Sequence, residues 1–194
     1  FLNQPKGGAV AFDAGFAFVT SYQTLERNGN TEKILSLIKL WESMRMEGRF
    51  SEVQKERMAD ISREFTLENK QEKTWSLKEV FSHKFKHEVK VRQPGDPLYT
   101  VFEFENKGEE QPLQFIISAV GANVTDIVME KDHHRSISLE VSMKKGQILK
   151  YGGGKQAYVY DQNWQLLSAF EVNPEDFKIS NGSHIFTLDC HFSD

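Results

Sequence analysis

The histidines are the first residues whose spacing could support chemistry, because imidazole is a common metal ligand. His83 and His87 are four residues apart. On a helix this spacing puts both rings on one face, whereas along a strand it separates them by roughly 13 Å. No third ligand is apparent near them in the sequence. We therefore interpret both as polar residues on a partly exposed face and expect no bound metal.

A second pair of histidines is adjacent. The segment DHHRSISLE carries His133 and His134, with Glu140 behind them and Gly146 further on, an order that resembles the first motif of cupin metal enzymes. Those enzymes need two histidines one residue apart, so that both point into a barrel, and adjacent residues of a strand point to opposite faces. We interpret the pair as a loop before the strand SISLEVS and keep a small cupin-like metal enzyme as an alternative.

Asp13 is the carboxylate in the most suggestive position, since it ends the apolar stretch GGAVAF. A carboxylate that follows a strand of an α/β barrel can contact substrate, so Asp13 is a candidate substrate contact. Glycoside hydrolysis usually requires a second carboxylate opposite the first, and the sequence pairs none with Asp13. No nucleophile elbow, P-loop or dinucleotide-binding fingerprint is present. The sequence therefore identifies no catalytic residue.

Aromatic residues beside predicted turns are the remaining candidates. The apolar face of a sugar ring stacks on an aromatic plane while its hydroxyls reach amides and carboxylates. On this basis four residues form a candidate glycan-binding patch: Tyr151, Asp161, Asn163 and Trp164. The alternative interpretation is that these aromatic rings fill the space between two sheets.

The composition argues against two kinds of partner. A net charge of −4, with basic residues scattered among acidic ones, offers no broad positive surface for a phosphate backbone. The longest apolar stretches fall short of the roughly 20 residues that a membrane-spanning helix needs. We therefore expect neither nucleic acid nor membrane as a partner. The single cysteine, Cys190, excludes an internal disulfide and suits a small core residue.

Hydrophobic periodicity predicts one strong helix near the start of the chain. In TEKILSLIKLWESMRMEG the apolar residues Ile34, Leu37, Ile38 and Trp41 recur at helical spacing, and Gly48 is a plausible stop. We predict that this stripe is buried. A shorter helix should follow, because Ser51 and Gln54 have the spacing of a capping box.

The period changes from 3.6 to 2 near residue 64, which predicts a succession of short strands. WSLKEVFSHKF remains ambiguous, since it also fits a helix. The clearer strand patterns are FKHEVKV, LYTVFEFEN, QFIISAV, VTDIVM, SISLEVS, GQILKY, QAYVY, QLLSAFEV and SHIFTLDC. Many short strands of this kind are typical of a β-sandwich or jelly roll.

The three glycines of KYGGGKQAYVY lead into a strand and not into a helix. A phosphate-binding loop needs the free amides of a following helix, so Gly152 to Gly154 are predicted to form a hairpin turn. DQNW, at 161–164, is predicted to be the next turn of a three-stranded meander. The fold class is therefore mainly β: a β-sandwich or jelly-roll-like domain (64–194), preceded by an N-terminal segment (1–63) that is helical or α/β.

The order of these elements resembles the C-terminal region of bacterial glycan-degrading enzymes, in which the end of an α/β barrel is followed by an accessory β-sandwich. The resemblance rests on the segments GGAVAFDAGF, TEKILSLIKLWESMRMEGRF, FENKGEEQPLQFIISAVG and LKYGGGKQAYVYDQNW. The chain opens without methionine and stops within a predicted strand, so we expect a portion of a longer protein.

The resemblance implies an accessory module that supports an upstream catalytic domain or binds glycan weakly. It also implies a secreted or periplasmic parent protein, such as a glycoside hydrolase, and requires no cofactor. Catalysis by this chain alone is not expected. Two alternatives stay open: the cupin-like metal enzyme, and a structural or protein-interaction domain.

Overall fold

The computed structural model describes most of the chain, namely residues 7–15, 19–71, 74–89 and 93–193. The chain divides into two compact units, Phe1–Ser82 and His83–Asp194. The change from helical to strand period, at residues 63 to 64, falls inside the first unit, where a β-hairpin follows the helices.

The described part of the first unit contains four helices and one antiparallel hairpin. These elements are α1 (Gly7–Ala11), α2 (Tyr22–Arg27), α3 (Thr31–Met46), α4 (Glu52–Ala59), β1 (Glu64–Gln71) and β2 (Thr74–Val80). They share one core, to which α1 contributes Val10, α3 contributes Trp41 and β1 contributes Phe65 and Leu67. None of the described helices is long and apolar enough to cross a membrane.

α1 corrects the prediction of a buried strand in GGAVAF. The residues Gly7–Ala11 form a short helix, and Val10 at its end is buried. A short apolar run without alternation fits a buried strand and a buried helical turn equally well, so periodicity cannot distinguish them. Asp13 therefore follows a helix and not a strand.

α3 confirms the strongest helix prediction. Trp41 is fully buried and its ring stacks on Phe50, with centroids 5.6 Å apart. The other members of the predicted stripe, Ile34, Leu37 and Ile38, are half-buried. The helix ends just before Gly48, which adopts a left-handed φ of 63°. This conformation is typical of glycine after a helix C-terminus.

α4 begins with the predicted capping box. The Ser51 hydroxyl accepts a hydrogen bond from the Gln54 amide at 3.3 Å, and the Gln54 side chain accepts one from the Ser51 amide at 2.9 Å. The first part of the ambiguous segment WSLKEVFSHKF forms strand β2, which ends at Val80, and the rest of it forms neither a strand nor a helix. Trp75 and Leu77 pack against the core of the first unit.

The second unit is a β-sandwich of antiparallel strands. Its described elements are β3 (Thr100–Asn106), β4 (Gln111–Pro112), β5 (Phe115–Ser118), β6 (Asn123–Lys131), β7 (Arg135–Leu139), β8 (Ile148–Tyr151), β9 (Gln156–Tyr160), β10 (Leu166–Glu171), a 3-10 helix (Pro174–Phe177), β11 (Lys178–Ile179) and β12 (Gly182–Ser193). One four-stranded sheet, here the β9 sheet, has the order β10-β9-β8-β5, and the other, the β12 sheet, has the order β3-β12-β6-β7. β4 and β11 form a separate short pair.

The core of the second unit lies between these two sheets. The β9 sheet contributes Leu149, Tyr151, Ala157 and Val159 to the buried cluster. The β12 sheet contributes Val124, Ile127, Met129, Ile137, Leu139, Phe186 and Leu188. Side chains from both inner faces in one buried cluster define a sandwich. The fold is therefore mainly β, as the sequence predicts.

The segment 81–89 corrects another prediction. FKHEVKV, at 85–91, was expected to be a strand, and residues 85–89 form none, while its last two residues lie outside the described residues. The part of this segment that belongs to the second unit starts at His83. It contacts that unit through aromatic rings and not through a ladder of backbone hydrogen bonds. Phe85 stacks on Phe102 with centroids 4.6 Å apart, and His83 lies 6.1 Å from Phe104. Alternation identifies a segment with two different faces, but a strand also needs a partner for its backbone groups.

The glycine run joins β8 to β9 in a hairpin, as predicted. Gly153 has a φ of 87°, and a Cβ at this position would lie 2.9 Å from the Pro112 side chain. Glycine is therefore required both by the backbone conformation and by the close approach of Pro112. The meander continues through the predicted turn at 161–164 into β10.

Candidate functional site

Three aromatic side chains lie next to one another where β9 turns into β10: Tyr158, Tyr160 and Trp164, here called the aromatic row. Successive residues of a strand alternate between faces. Ala157 and Val159 are buried in the core, so Tyr158 and Tyr160 lie on the outer face of the β9 sheet, where both are half-exposed. Trp164, in the following turn, is also half-exposed.

The rings of the aromatic row contact each other in sequence. The centroids of Tyr158 and Tyr160 are 6.4 Å apart at an interplanar angle of 42°, and those of Tyr160 and Trp164 are 5.5 Å apart at 49°. The Tyr158 hydroxyl donates to Gln156 Oε1 at 3.1 Å. Partial burial, with a smaller contribution from Tyr158, raises the pKa of Tyr160. The Tyr160 phenol therefore stays neutral at physiological pH, and both tyrosines present a hydroxyl group beside a ring face.

Asp161 holds the turn that carries Trp164. Its Oδ1 accepts hydrogen bonds from the Asn163 and Gln165 amides, both at 2.8 Å. The Trp164 amide donates to the Asp161 carbonyl at 3.0 Å, which closes the turn. Asp161 thus acts on the backbone of the turn, while Asn163 is exposed beside the row.

The backbone of Trp164 is left-handed, with a φ of 60°. A hairpin loop built from a turn and a following left-handed residue normally has glycine in that position. An L-residue with a large side chain costs roughly 1–2 kcal/mol there. A tryptophan therefore occupies a position at which glycine would give the most stable backbone. Its indole ring lies beside Tyr160 as a result.

Tyr151, the fourth residue of the sequence-predicted patch, lies elsewhere. It is 1% exposed and packs between Phe115 and Phe177, with centroid distances of 5.3 and 4.9 Å. Burial, assisted by the charge of Asp176, raises the pKa of its phenol. The ring has no face open to a ligand, because Tyr151 belongs to the inner face of the β9 sheet.

The structure therefore brings Asp161, Asn163 and Trp164 together and replaces Tyr151 with Tyr158 and Tyr160. A sequence signal for this exchange exists. In QAYVY the small Ala157 and the β-branched Val159 suit the inner face, so the two tyrosines of the same strand fall on the other face.

Asp13 is exposed in the first unit. Its carboxylate pairs with Arg45 Nη1 at 2.6 Å, and Arg45 Nη2 also pairs with Glu42 at 2.8 Å. Hydrogen bonds to Glu42 and then to Asp13 raise the pKa of Arg45. The ion pair ties the residues after α1 to α3, and the role of Asp13 as a substrate contact stays a prediction.

The four histidines discussed above lie in three places. His133 and His134 occupy the turn between β6 and β7, so they precede a strand as predicted. His87 accepts or donates a hydrogen bond at 2.8 Å to Thr100 and stacks on Phe192, and His83 lies beside Phe85. Within the described ranges, no group of three or more His, Cys, Asp or Glu side chains is placed to hold a metal ion.

The sequence analysis missed a buried polar pair. His184, 5% exposed, lies between the Asp132 carboxylate (Nδ1 to Oδ2, 3.1 Å) and the Ser180 carbonyl (Nε2 to O, 2.9 Å). Both partners are acceptors, so only a ring that is protonated on both nitrogens makes both bonds. Asp132 also accepts from the Ile185 amide at 3.0 Å. Burial raises the pKa of Asp132, but the hydrogen bonds from Ile185 and His184 together lower it by a larger amount. The net shift of the pKa is therefore downward.

This shift gives the stability a defined pH dependence. The carboxylate of Asp132 has a lower pKa folded than unfolded, so it stabilises the fold above its unfolded pKa of about 3.9. That contribution is lost as the pH falls through the lower, folded pKa. Asp132→Asn keeps an acceptor for Ile185 but replaces the other with an amide that cannot accept from His184. We expect a loss of about 1 kcal/mol at pH 7, because the side chain is 34% exposed.

Melting curves from pH 7 to pH 2.5 test this expectation. The difference between wild type and Asp132→Asn should shrink as the pH falls below about 4. Asp126→Asn is the matched control, since Asp126 also has a left-handed φ and, among the described residues, its side chain accepts a hydrogen bond from the neighbouring Thr125 hydroxyl alone. A difference that stays constant across this range would contradict the assignment.

Comparisons with protein-family models, with curated proteins and with solved structures gave no match to this chain.

Proposed function

We propose that the second unit is an accessory β-sandwich module of a carbohydrate-active protein and that it binds a glycan on the aromatic row. The observation that supports this most is the arrangement of three adjoining, half-exposed rings: Tyr158 and Tyr160 on the outer face of a sheet, and Trp164 in the turn that follows. Aromatic planes bind the apolar faces of sugar rings, and phenol hydroxyls and the nearby Asn163 can serve the sugar hydroxyls.

The strain at Trp164 supports the same proposal. Residues in sparsely populated backbone regions persist where the surrounding structure or a function requires them. Trp164 is half-exposed and is not part of the buried core cluster, so core packing does not account for its left-handed backbone. Ligand binding by the indole ring would explain why a strained residue is kept at this position.

The geometry of the row narrows the class of glycan. Successive planes are tilted by 42° and 49°, so a flat crystalline surface cannot stack on all three rings together. A single glycan chain can, because rotation about each glycosidic bond lets its sugar units follow the tilt. We therefore propose a soluble or amorphous polysaccharide as the ligand.

The proposal extends to the parent protein. A module that binds polysaccharide acts where polysaccharide occurs, which for a bacterium is outside the cytoplasm, so we propose a secreted or periplasmic protein. Its partner would be an upstream catalytic domain, such as a glycoside hydrolase, that the module keeps near the substrate. Tethering of this kind raises the effective concentration of substrate without any new catalytic contact. The full-length reading frame tests this part of the proposal, which fails if no catalytic domain is encoded.

Trp164→Ala tests binding by the row. We expect it to weaken glycan binding by about 1 kcal/mol or more and to leave the melting temperature nearly unchanged, because the ring is not part of the core. A glycan array identifies the strongest soluble ligand, and calorimetric titration then compares the variants. Tyr99→Ala is the matched control, since Tyr99 is 44% exposed in the same unit but outside the row.

Trp164→Gly is a second variant with an opposite effect on stability. It should lose binding as Trp164→Ala does, yet melt at a higher temperature than the alanine variant, because glycine removes the left-handed strain. The proposal fails if the wild type binds no glycan, or if Trp164→Ala and Tyr99→Ala weaken binding equally. Failure to bind would favour a structural or protein-interaction domain.

A further inference from the structure

A cleft of about 370 Å³ opens at one end of the sandwich, away from the aromatic row. It is formed by the start of β6, the end of β12, the loop between β7 and β8, and the inner side of β9 and β10. Its lining residues are Asn123, Thr125, Ser142, Met143, Lys144, Gln147, Val159, Leu167, Ser168 and Ser193. Val159 lines the cleft while its neighbours Tyr158 and Tyr160 face the opposite side of β9, so the two sites are separate.

The lining combines an apolar floor with a polar rim. Met143 and Val159 are 1% and 2% exposed and form the floor. The rim consists of hydroxyl and amide side chains together with a single cation, Lys144. Among the residues that the structure describes, the lining contains no acidic side chain and Lys144 forms no ion pair.

The loop that carries Lys144 is held in place by backbone and side-chain bonds. The Lys144 amide donates to Gln147 Oε1 at 2.8 Å, and the Lys145 amide donates to Asn123 Oδ1 at 3.0 Å. Met143 pairs with Val124 through two backbone bonds of 2.8 Å. The rim is therefore organised before any ligand arrives, which lowers the entropy lost on binding.

We propose that this cleft binds a small polyhydroxylated ligand that carries a carboxylate, of the hexuronate class. The hydroxyl and amide groups of the rim match the hydroxyls of such a ligand, and the apolar floor matches the C–H face of its ring. Lys144 supplies the charge that a carboxylate needs. The volume lies within the range of roughly 300–1,000 Å³ that small-molecule sites occupy.

The inference goes beyond the glycan proposal and does not rest on it, since no residue of the aromatic row lines the cleft. Titration of the full chain with glucuronate, glucose and acetate, followed by ¹H–¹⁵N spectra, tests it. We expect glucuronate to shift the amides of 142–147 and to bind up to about fivefold more tightly than glucose, the ratio that corresponds to the roughly 1 kcal/mol of an ion pair with an exposed lysine. Acetate, which lacks the sugar ring, should bind more weakly than glucuronate.

Three variants assign the binding to the cleft. Lys144→Gln should reduce the affinity for glucuronate to that for glucose, whereas the neighbouring Lys145→Gln, which lies outside the lining, should retain the wild-type affinity. Ser168→Phe should fill the cleft and abolish the binding of both sugars, and its melting curve reports whether it folds. Trp164→Ala should leave glucuronate binding unchanged. The advantage of glucuronate should decline as salt is raised, because salt screens an exposed charge.

Several results would overturn the proposal: no binding of glucuronate, equal affinity for glucuronate and glucose, or equal losses in Lys144→Gln and Lys145→Gln. Loss of glucuronate binding in Trp164→Ala would instead assign the ligand to the aromatic row. Because the row is tested with a polysaccharide and Trp164→Ala, and the cleft with a monosaccharide acid and Lys144→Gln, either proposal can fail while the other stands.

Discussion

Trp41→Ala is expected to lower the free energy of unfolding of the first unit by about 3–5 kcal/mol. The Trp41 side chain is fully buried and stacks on Phe50 with centroids 5.6 Å apart, so its removal leaves a cavity in a core shared by helices and a hairpin. The indole nitrogen has no hydrogen-bond partner within the described residues, so this loss is one of packing and not of a hydrogen bond. Denaturant unfolding followed by circular dichroism measures it.

Leu35→Ala in the same helix is the matched control, because Leu35 is 46% exposed. It should change the free energy of unfolding by less than about 1 kcal/mol, within the usual range for surface substitutions. Equal losses in the two variants would mean that Trp41 is not the centre of this core.

Tyr151→Ala is expected to destabilise the second unit by a similar amount, about 3–5 kcal/mol. The ring fills the space between Phe115 and Phe177 on the inner face of the β9 sheet. Thermal unfolding measures the loss, and calorimetric titration of the folded variant should show that the affinity for glycan is unaltered. A loss of glycan affinity without a loss of stability would return Tyr151 to the binding patch that the sequence suggests.

Tyr151→Phe separates the ring from its hydroxyl. The hydroxyl is buried and has no hydrogen-bond partner within the described residues. A buried polar group without a partner costs about 1–3 kcal/mol, so its removal should leave stability unchanged or raise it. A clear decrease in melting temperature would show that the hydroxyl has a partner, such as an internal water molecule.

The predictions from sequence were most accurate where local chemistry alone decides the structure. The stripe around Trp41 in α3, the capping box at Ser51 and the glycine hairpin between β8 and β9 each depend on residues close together in the chain. Helical period, a capping bond and a positive φ are properties that such short segments determine by themselves.

The predictions from sequence were wrong where contacts between residues far apart in the chain determine the local structure. Val10 lies in an apolar run that fits a strand as well as a helix, and its burial against α3 and α4 is invisible in the sequence. Phe85 alternates with charged residues as in a strand, yet its ring contacts with β3 take the place of a backbone ladder. Local pattern gives the faces of a segment but not its partners.

The candidate site was predicted only in part for the same reason. The turn at Asp161 and the position of Trp164 follow from local sequence, so the sequence analysis found them. The inward direction of Tyr151 could have been inferred, since the charged Lys150 beside it suits the outer face. The cleft could not, because its lining comes from segments as far apart as Asn123 and Ser193.

The left-handed backbone at Trp164 has a consequence for any attempt to engineer this module. A library randomised at that position and screened for heat resistance alone would enrich glycine and asparagine, the residues that tolerate positive φ best. Each such improvement would erase the end of the aromatic row. Selection for thermal stability and selection for ligand binding therefore favour different residues at position 164, and a screen must include both.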